Sequence, residues 1–357
     1  MSRIAFSWNG LPFYAAGLLR EAIFQIGEPC DVIGTPPSVP VKGMEDALGN
    51  KIHWIPVDQR SNWASVGLDV PEIFVESGWR YSAFQSLRAE VRARGGTVIG
   101  MSDANWRGDF RQRIIGKLAF ALHYRRQFDA MIVPGKEGRR LMNWFGFDDD
   151  HIYEGMYGSN PLIFNEGDRL ALRPKQFLFV GQFVERKDVL GLASAFVRFV
   201  KTRPDWTLRL CGSGAQKQDI PRHPNIIVEN FVQANELADR YRAARFFVLP
   251  SLIEAWGLVV HEAAMSGCGL ILSDKIGSAA DLSNSDNAFR FVAGDENAIL
   301  SALHKAANCD EEQLLTMESE SRRLGALFGP RRFGSAVHTL IRKIDAVKSV
   351  QPSLTRS

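Results

Sequence analysis

Cysteine is scarce in this chain. Cys30, Cys211, Cys268 and Cys309 are spread over 357 residues without a C-x-x-C pair. That spacing argues against a disulfide framework or a zinc cluster and for inert thiols in a reducing compartment. No apolar run approaches the roughly 20 residues that a membrane-spanning helix needs. Met1 to Gly10 lacks the basic-then-apolar pattern of a signal peptide. A cytoplasmic location, at most at the inner face of the membrane, is therefore expected. An excess of one charge is missing too: Lys and Arg number 43 against 40 Asp and Glu, a net charge of +3. So mild a balance gives no reason to expect nucleic acid. No G-x-G-x-x-G follows the first strand, which speaks against a dinucleotide-dependent dehydrogenase.

What is present is an alternation of short β-rich runs with longer helical ones, in a chain long enough for two domains. Strands are expected at 3–7, 52–57, 72–76, 97–101 and 130–133, then at 176–180, 207–211, 226–228, 246–249 and 269–272. Helices are expected over 13–25, 81–94, 110–126 and 137–145, then 189–200, 236–244, 258–266 and about 331–347. Leu192, Phe196 and Val200 recur at helical spacing. Gly155 to Asp168, rich in Gly, Asn and Pro, reads as an interdomain linker. The expected organisation is an N-terminal Rossmann-like domain over 1–160, a second over 170–330, and a terminal helix, 331–357, packing back on the first.

Three loops in the second half carry the chemistry, each following the carboxyl end of a strand, where open α/β sheets bind ligands. The loop Pro250 to Gly257 contains Glu254 and leads into a helix. The first N–H groups of that helix, at Gly257, Leu258 and Val259, lack internal acceptors and suit a diphosphate. Glu262 lies one turn inside it. Two carboxylates beside a diphosphate make sense only if they bind hydroxyls at its two ends and cations meet the phosphates. Arg186 and Lys187, in the loop Gly181-Gln182-Phe183-Val184-Glu185-Arg186-Lys187, supply those cations. In the third loop, Gly212-Ser213-Gly214, the glycines either permit close approach of a base or phosphate or make a tight turn.

The pair Glu254 and Glu262 with Gly257 between them resembles the E-x7-E signature of retaining glycosyltransferases of family 4. The order Gly181…Lys187, Gly212-Ser213-Gly214, Asn230-Phe231-Val232, Pro250-Ser251, then the paired glutamates is similar to that family's C-terminal domain, over about 176–283. The resemblance implies an α/β GT-B fold, two Rossmann-like domains facing across a cleft. It implies transfer of a sugar from a UDP- or GDP-linked donor to a saccharide or lipid-linked saccharide, in polysaccharide, O-antigen or glycolipid assembly, without metal or other cofactor. Glu262 would then hold the ribose hydroxyls and Glu254 the donor sugar. Lys187, Arg186 and the amides of Gly257 to Val259 would hold the diphosphate, with Gly181, Gln182, Gly212 and Ser213 around it and Gly10 bordering it from the other domain. Gln182 stands where the family usually has arginine, and His261 where it has an apolar residue. Asp103 falls near a frequent histidine and is a candidate acceptor-side base. A non-catalytic nucleotide-sugar-binding subunit and a GT-B epimerase are the competing readings.

One segment stands outside this scheme. Arg107, Arg111, Arg113, Lys117, Arg125 and Arg126 are interleaved with Ile114, Ile115, Leu118, Phe120 and Leu122. Such a helix, over 107–126, either lies on an anionic bilayer or packs its apolar side on the sheet with its charges in water; the packed reading is preferred. Trp79, Tyr81 and Trp106 either line an acceptor cleft or pack in the interior.

Overall fold

The computed structural model describes residues 2–37 and 43–350, with side chains described as far as residue 346. It divides into two compact units. Residues 1–158 and 329–357 form unit 1, and residues 159–328 form unit 2.

Unit 1 is built on seven parallel strands: β1 (Ile4–Trp8), β2 (Cys30–Gly34), β3 (His53–Trp54), β4 (Ile73–Ser77), β5 (Thr97–Met101), β6 (Ala130–Val133) and β7 (Ile152–Glu154). Their order is β3-β2-β1-β4-β5-β6-β7, so the direction of winding reverses between β1 and β4. Helices cover both faces, which is why β1 is buried along its whole length. Ile4, Phe6 and Trp8 point to one face, where Leu18, Leu19, Phe333, Val337, Leu340 and Ile341 pack on them. The last four of these come from the helix Pro330–Val350 at the i, i+4, i+7, i+8 spacing of one helical stripe. Ala5 points to the other face with Phe74, Phe84, Leu87 and Val91.

Unit 2 repeats the plan with six parallel strands: β8 (Gln176–Val180), β9 (Thr207–Cys211), β10 (Ile226–Glu229), β11 (Phe246–Leu249), β12 (Gly269–Ser273) and β13 (Ala288–Phe291). The order β10-β9-β8-β11-β12-β13 again places a switch point between the unit's first and fourth strands. Its core is aromatic: Phe177 stacks on Trp206 at 4.5 Å and meets Phe199 edge-on at 5.5 Å.

Several sequence expectations change here. β2, β7 and β13 were not foreseen, and the strand expected over 52–57 shrinks to His53–Trp54. The stretch 155–168 is no free tether. Phe164 is buried and packs edge-on against Tyr241 at 5.9 Å, and Ser159 makes two hydrogen bonds inside unit 2. Over 110–126 the chain makes a π-helical turn (Arg111–Gly116), an α-helix (Lys117–His123) and a 3-10 turn (Arg125–Gln127).

Candidate active site

The switch point of unit 2 brings together the loops after β8 and β11. The β8 loop ends in a 3-10 turn, Glu185–Lys187, closed by Asp188. Asp188 has φ +52, the one non-glycine positive φ among the described residues. Aspartate tolerates this region better than most side chains, but it still costs free energy. That strained residue, next to Lys187, starts the helix Val189–Phe199. The Lys187 side chain is buried and ion-pairs with Glu254 Oε2. Ser251 Oγ donates to the same oxygen at 3.3 Å, and Arg186 lies 3.9 Å away. The main chain holds Glu254 on both sides: its N–H donates to the Lys275 carbonyl and its carbonyl accepts from Gly277, both at 3.1 Å. The Leu252 N–H donates to the Arg186 carbonyl at 2.8 Å, tying the two loops together. Lys187, Arg186 and Glu254 thus converge, and both cations lean on the carboxylate. Arg186 remains half exposed and donates to Gln182 Oε1 at 3.3 Å.

Gly257 ends the β11 loop with φ +85 and ψ 68, a left-handed conformation that favours glycine. No side chain caps the helix Leu258–Met265 that follows. The amides of Leu258 and Val259 therefore have no acceptor within it, and the positive end of its dipole is open.

Glu262 lies deeper than the sequence suggests. It is buried and holds two protein donors, Tyr241 Oη on Oε2 at 2.9 Å and Ser159 Oγ on Oε1 at 3.2 Å. Burial pushes its carboxyl up to about 7, against the opposing pull of these two bonds. Next to it, His261 is fully buried. Burial lowers its imidazole to about 4, so it is neutral at pH 7. Its Nδ1 accepts from the Ser159 N–H at 3.0 Å and its Nε2 donates to the Gly325 carbonyl at 2.9 Å. His261 is a structural pin between the two ends of unit 2.

The glycine loop after β9 takes the structural reading. A Cβ on Gly212 would lie 1.8 Å from the Gly181 carbonyl oxygen, and one on Gly214 would lie 2.3 Å from that of Phe183. The Phe183 N–H donates to the Ser213 carbonyl at 2.8 Å and the Gly181 N–H to that of Cys211 at 3.0 Å. These glycines exist because two loops cross at backbone contact, so close approach of a ligand is not what demands them.

In unit 1, Gly10 follows β1 with φ +55, and its amide donates to Thr35 Oγ1 at 2.6 Å. Asp103 is exposed and accepts from Tyr157 Oη at 3.2 Å, while Tyr157 meets Tyr14 edge-on at 5.6 Å. Trp79 packs edge-on against Phe120 at 5.1 Å, and Trp106 against Trp144 at 5.4 Å, so both serve the interior; Tyr81 alone of the three is exposed. Glu76, fully buried, pairs with Arg88 at 2.5 Å, and burial pushes its carboxyl up to about 8.

An open depression of about 1,030 Å³ lies beside β10, lined by Gly214, Lys217, Ile220, Arg222, His223 and Val228 among others. None of Lys187, Glu254, Gly257 or Glu262 borders it, so the convergence of charged groups marks the site better than cavity size does. Sequence reasoning missed Tyr241, Ser159 and Asp188. The first two reach Glu262 from positions distant in sequence and the third acts through backbone conformation, and neither leaves a local signature.

Residues 174–308 match the family described as glycosyl transferases group 1. The glycogen synthase of Mycobacterium tuberculosis is 32% identical over 145 residues, which are 38% of this chain and 35% of the relative's own length. The chain thus matches about a third of that relative. Among solved structures, sucrose-phosphate synthase from Thermosynechococcus elongatus superposes with a TM-score of 0.71 at 17% identity, covering 97% of this chain and 100% of that one. Anabaena HepE, solved with UDP and glucose, gives 0.74 at 12% identity, covering 96% and 100%. At these identities the likeness carries the fold, and with two switch-point sheets, of order 3-2-1-4-5-6-7 in unit 1 and 3-2-1-4-5-6 in unit 2, the chain is an α/β protein of the GT-B class.

Proposed function

We propose that this chain is a retaining, nucleotide-sugar-dependent glycosyltransferase of family 4 whose donor site is the switch point of unit 2. One observation carries the reading: a buried lysine and a fixed glutamate paired beside the open start of the Leu258–Met265 helix. Before a donor arrives, Glu254 neutralises Lys187, so neither charge is left uncompensated. An incoming diphosphate takes Lys187 in exchange, joined by Arg186 and the amides of Leu258 and Val259. Glu254 is then free to accept from hydroxyls of the donor sugar, and Glu262 to accept from the ribose. The developing charge on the departing diphosphate meets preorganised donors, which is the main catalytic contribution of such a site. These cations and amides offset the phosphate charge without a metal ion. The leaving phosphate receives the acceptor's proton, so the new bond forms on the face from which the old one breaks. A UDP-linked hexose is the first donor to test, since HepE, which shares the fold, was solved with UDP and glucose; a GDP-linked sugar is the second. The acceptor is a saccharide or a lipid-linked saccharide, with Asp103 as a ligand for it, in the assembly of a polysaccharide, O-antigen or glycolipid.

The test is a thermal-shift panel of UDP-, GDP- and ADP-sugars on the full chain. A ligand that binds only the folded state raises its apparent stability. This is followed by measurement of nucleotide release with and without acceptor. A shift with one nucleotide class, together with turnover lost in Lys187→Met and Glu254→Gln, is expected. Binding without turnover across a wide acceptor panel would favour a non-catalytic binding subunit. Binding and turnover unchanged in both variants would place the donor elsewhere.

A further inference from the structure

The segment 107–126 is built inside out. In a helix packed on a sheet the apolar stripe faces the core. Here the inward anchors are Gln112 and Phe120. The Gln112 side-chain oxygen accepts from the amides of Arg107 and Gly108 at 2.7 and 3.2 Å, and its Nε2 donates to the Asn105 carbonyl at 2.7 Å. Phe120 stacks on Phe145 at 4.6 Å. With those two contacts fixing its rotation, the segment turns Phe110, Ile114, Ile115, Leu118 and Leu122 outward, exposed by 75, 47, 57, 57 and 73%. The preference for a packed helix is therefore overturned by the positions of its own apolar side chains.

So many large apolar groups on one exposed turn and helix exceed the scattered surface hydrophobics of ordinary proteins. Their surroundings say what covers them. Arg111 lies among them and is exposed, and Arg113 and Lys117 flank them, held in place over the Trp144 ring at 5.8 and 4.3 Å. Arg107, Arg125 and Arg126 extend the positive border. Asp109 is the single acid between residues 105 and 127, and Arg107 lies 3.3 Å from it. An apolar stripe edged by cations fits the boundary between anionic headgroups and acyl chains. It does not fit a second copy of the same face, which would set like charges against each other. A π-helical turn over Arg111–Gly116 widens the segment where Ile114 and Ile115 project.

We propose that residues 107–126 form a docking surface for an anionic lipid bilayer, with Phe110, Ile114, Ile115, Leu118 and Leu122 entering the acyl boundary and Arg111, Arg113 and Lys117 meeting phosphates. The surface holds the chain at a membrane whatever its activity. The test is co-sedimentation of the full chain with phosphatidylcholine vesicles, with and without phosphatidylglycerol. Binding is expected to the anionic vesicles only and to weaken as salt is raised. Leu118→Ser with Leu122→Ser should lower the partition coefficient at least about tenfold. Arg111→Gln with Lys117→Gln should lower it about as much and flatten the salt dependence. All four side chains are exposed, so both variants should keep the parent's unfolding curve. Equal binding to neutral and anionic vesicles, binding to neither, or partition unchanged in both variants would overturn the proposal. So would a dimer by light scattering that the leucine variant dissolves, which would assign the face to a second copy.

Discussion

Replacing Glu262 by glutamine should make the protein more stable, by an amount that grows from about pH 4.5 and levels off near neutral pH. The Glu262 carboxyl is raised from its ordinary 4.5 to about 7 by burial. Below about pH 4.5 it is neutral in both folded and unfolded chains. Between there and pH 7 the unfolded chain ionises it and the folded chain does not, so stability falls as pH rises through that window and then levels off. At about 1.4 kcal/mol per pH unit, the gap from 4.5 to about 7 is worth about 3 kcal/mol. Glutamine has no ionisation to suppress. Its amide can still accept from Tyr241 Oη, and its NH2 can donate to Ser159 Oγ. Glu262→Gln should therefore unfold within about 1 kcal/mol of the parent at pH 5 and be about 3 kcal/mol more stable at pH 8, or roughly 6–12 °C in Tm for a unit of this size. Urea unfolding at the two pH values measures it. A gain or loss of the same size at both pH values would refute the reasoning, because it would reflect packing and not a carboxylate held against its preference. If Glu262 holds the ribose, the same variant loses donor affinity, and the retained glutamate illustrates a site kept at the expense of stability.

Three further outcomes follow from the geometry. Lys187→Met leaves Glu254 with only the half-exposed Arg186 as a cation beside it; nucleotide-sugar turnover should fall at least about a hundredfold while the fold survives, measured as nucleotide release beside circular dichroism. Gly212→Ala sets a methyl against the Gly181 carbonyl and should lower unfolding free energy by at least about 3 kcal/mol, whereas Ser213→Ala in the same loop should stay within about 0.5 kcal/mol. His261→Leu removes both hydrogen bonds of the pin and should cost about 2–4 kcal/mol at pH 8 but about 1 kcal/mol less at pH 6, because the unfolded chain protonates its imidazole below 6.5 while the folded one stays neutral down to about 4.

The parts of the fold that sequence revealed are those written in local pattern. The run Gln176–Val180 is apolar because helices cover both its faces, and Leu192, Phe196 and Val200 share one buried stripe. The loops after β8 and β11 were legible because glycine, cations and glutamates follow strands directly. β2 escaped because Cys30–Gly34 is short, includes Asp31, and is fixed by pairing with β1, which no local pattern records. The rotation of the 107–126 segment depended on Gln112, a residue whose hydrogen bonds decide more than the hydrophobic count around it. The Gly212 loop stayed ambiguous because a glycine required by crossing backbones and a glycine required by a ligand look alike in sequence. Glu262 looked like an open acceptor because Tyr241 and Ser159, which hold it, lie 21 and 103 residues away.

The imidazole of His261 has a practical corollary for anyone trimming this protein. The family match spans 174–308 and invites cutting there. Ser159 and Gly325, the two groups that the ring clasps, both fall outside those limits. A piece cut to them would expose a dry ring nitrogen pair, strip one donor from Glu262 and uncover the helix that begins at Gly257. A piece that keeps both hydrogen bonds is the whole of unit 2, residues 159–328.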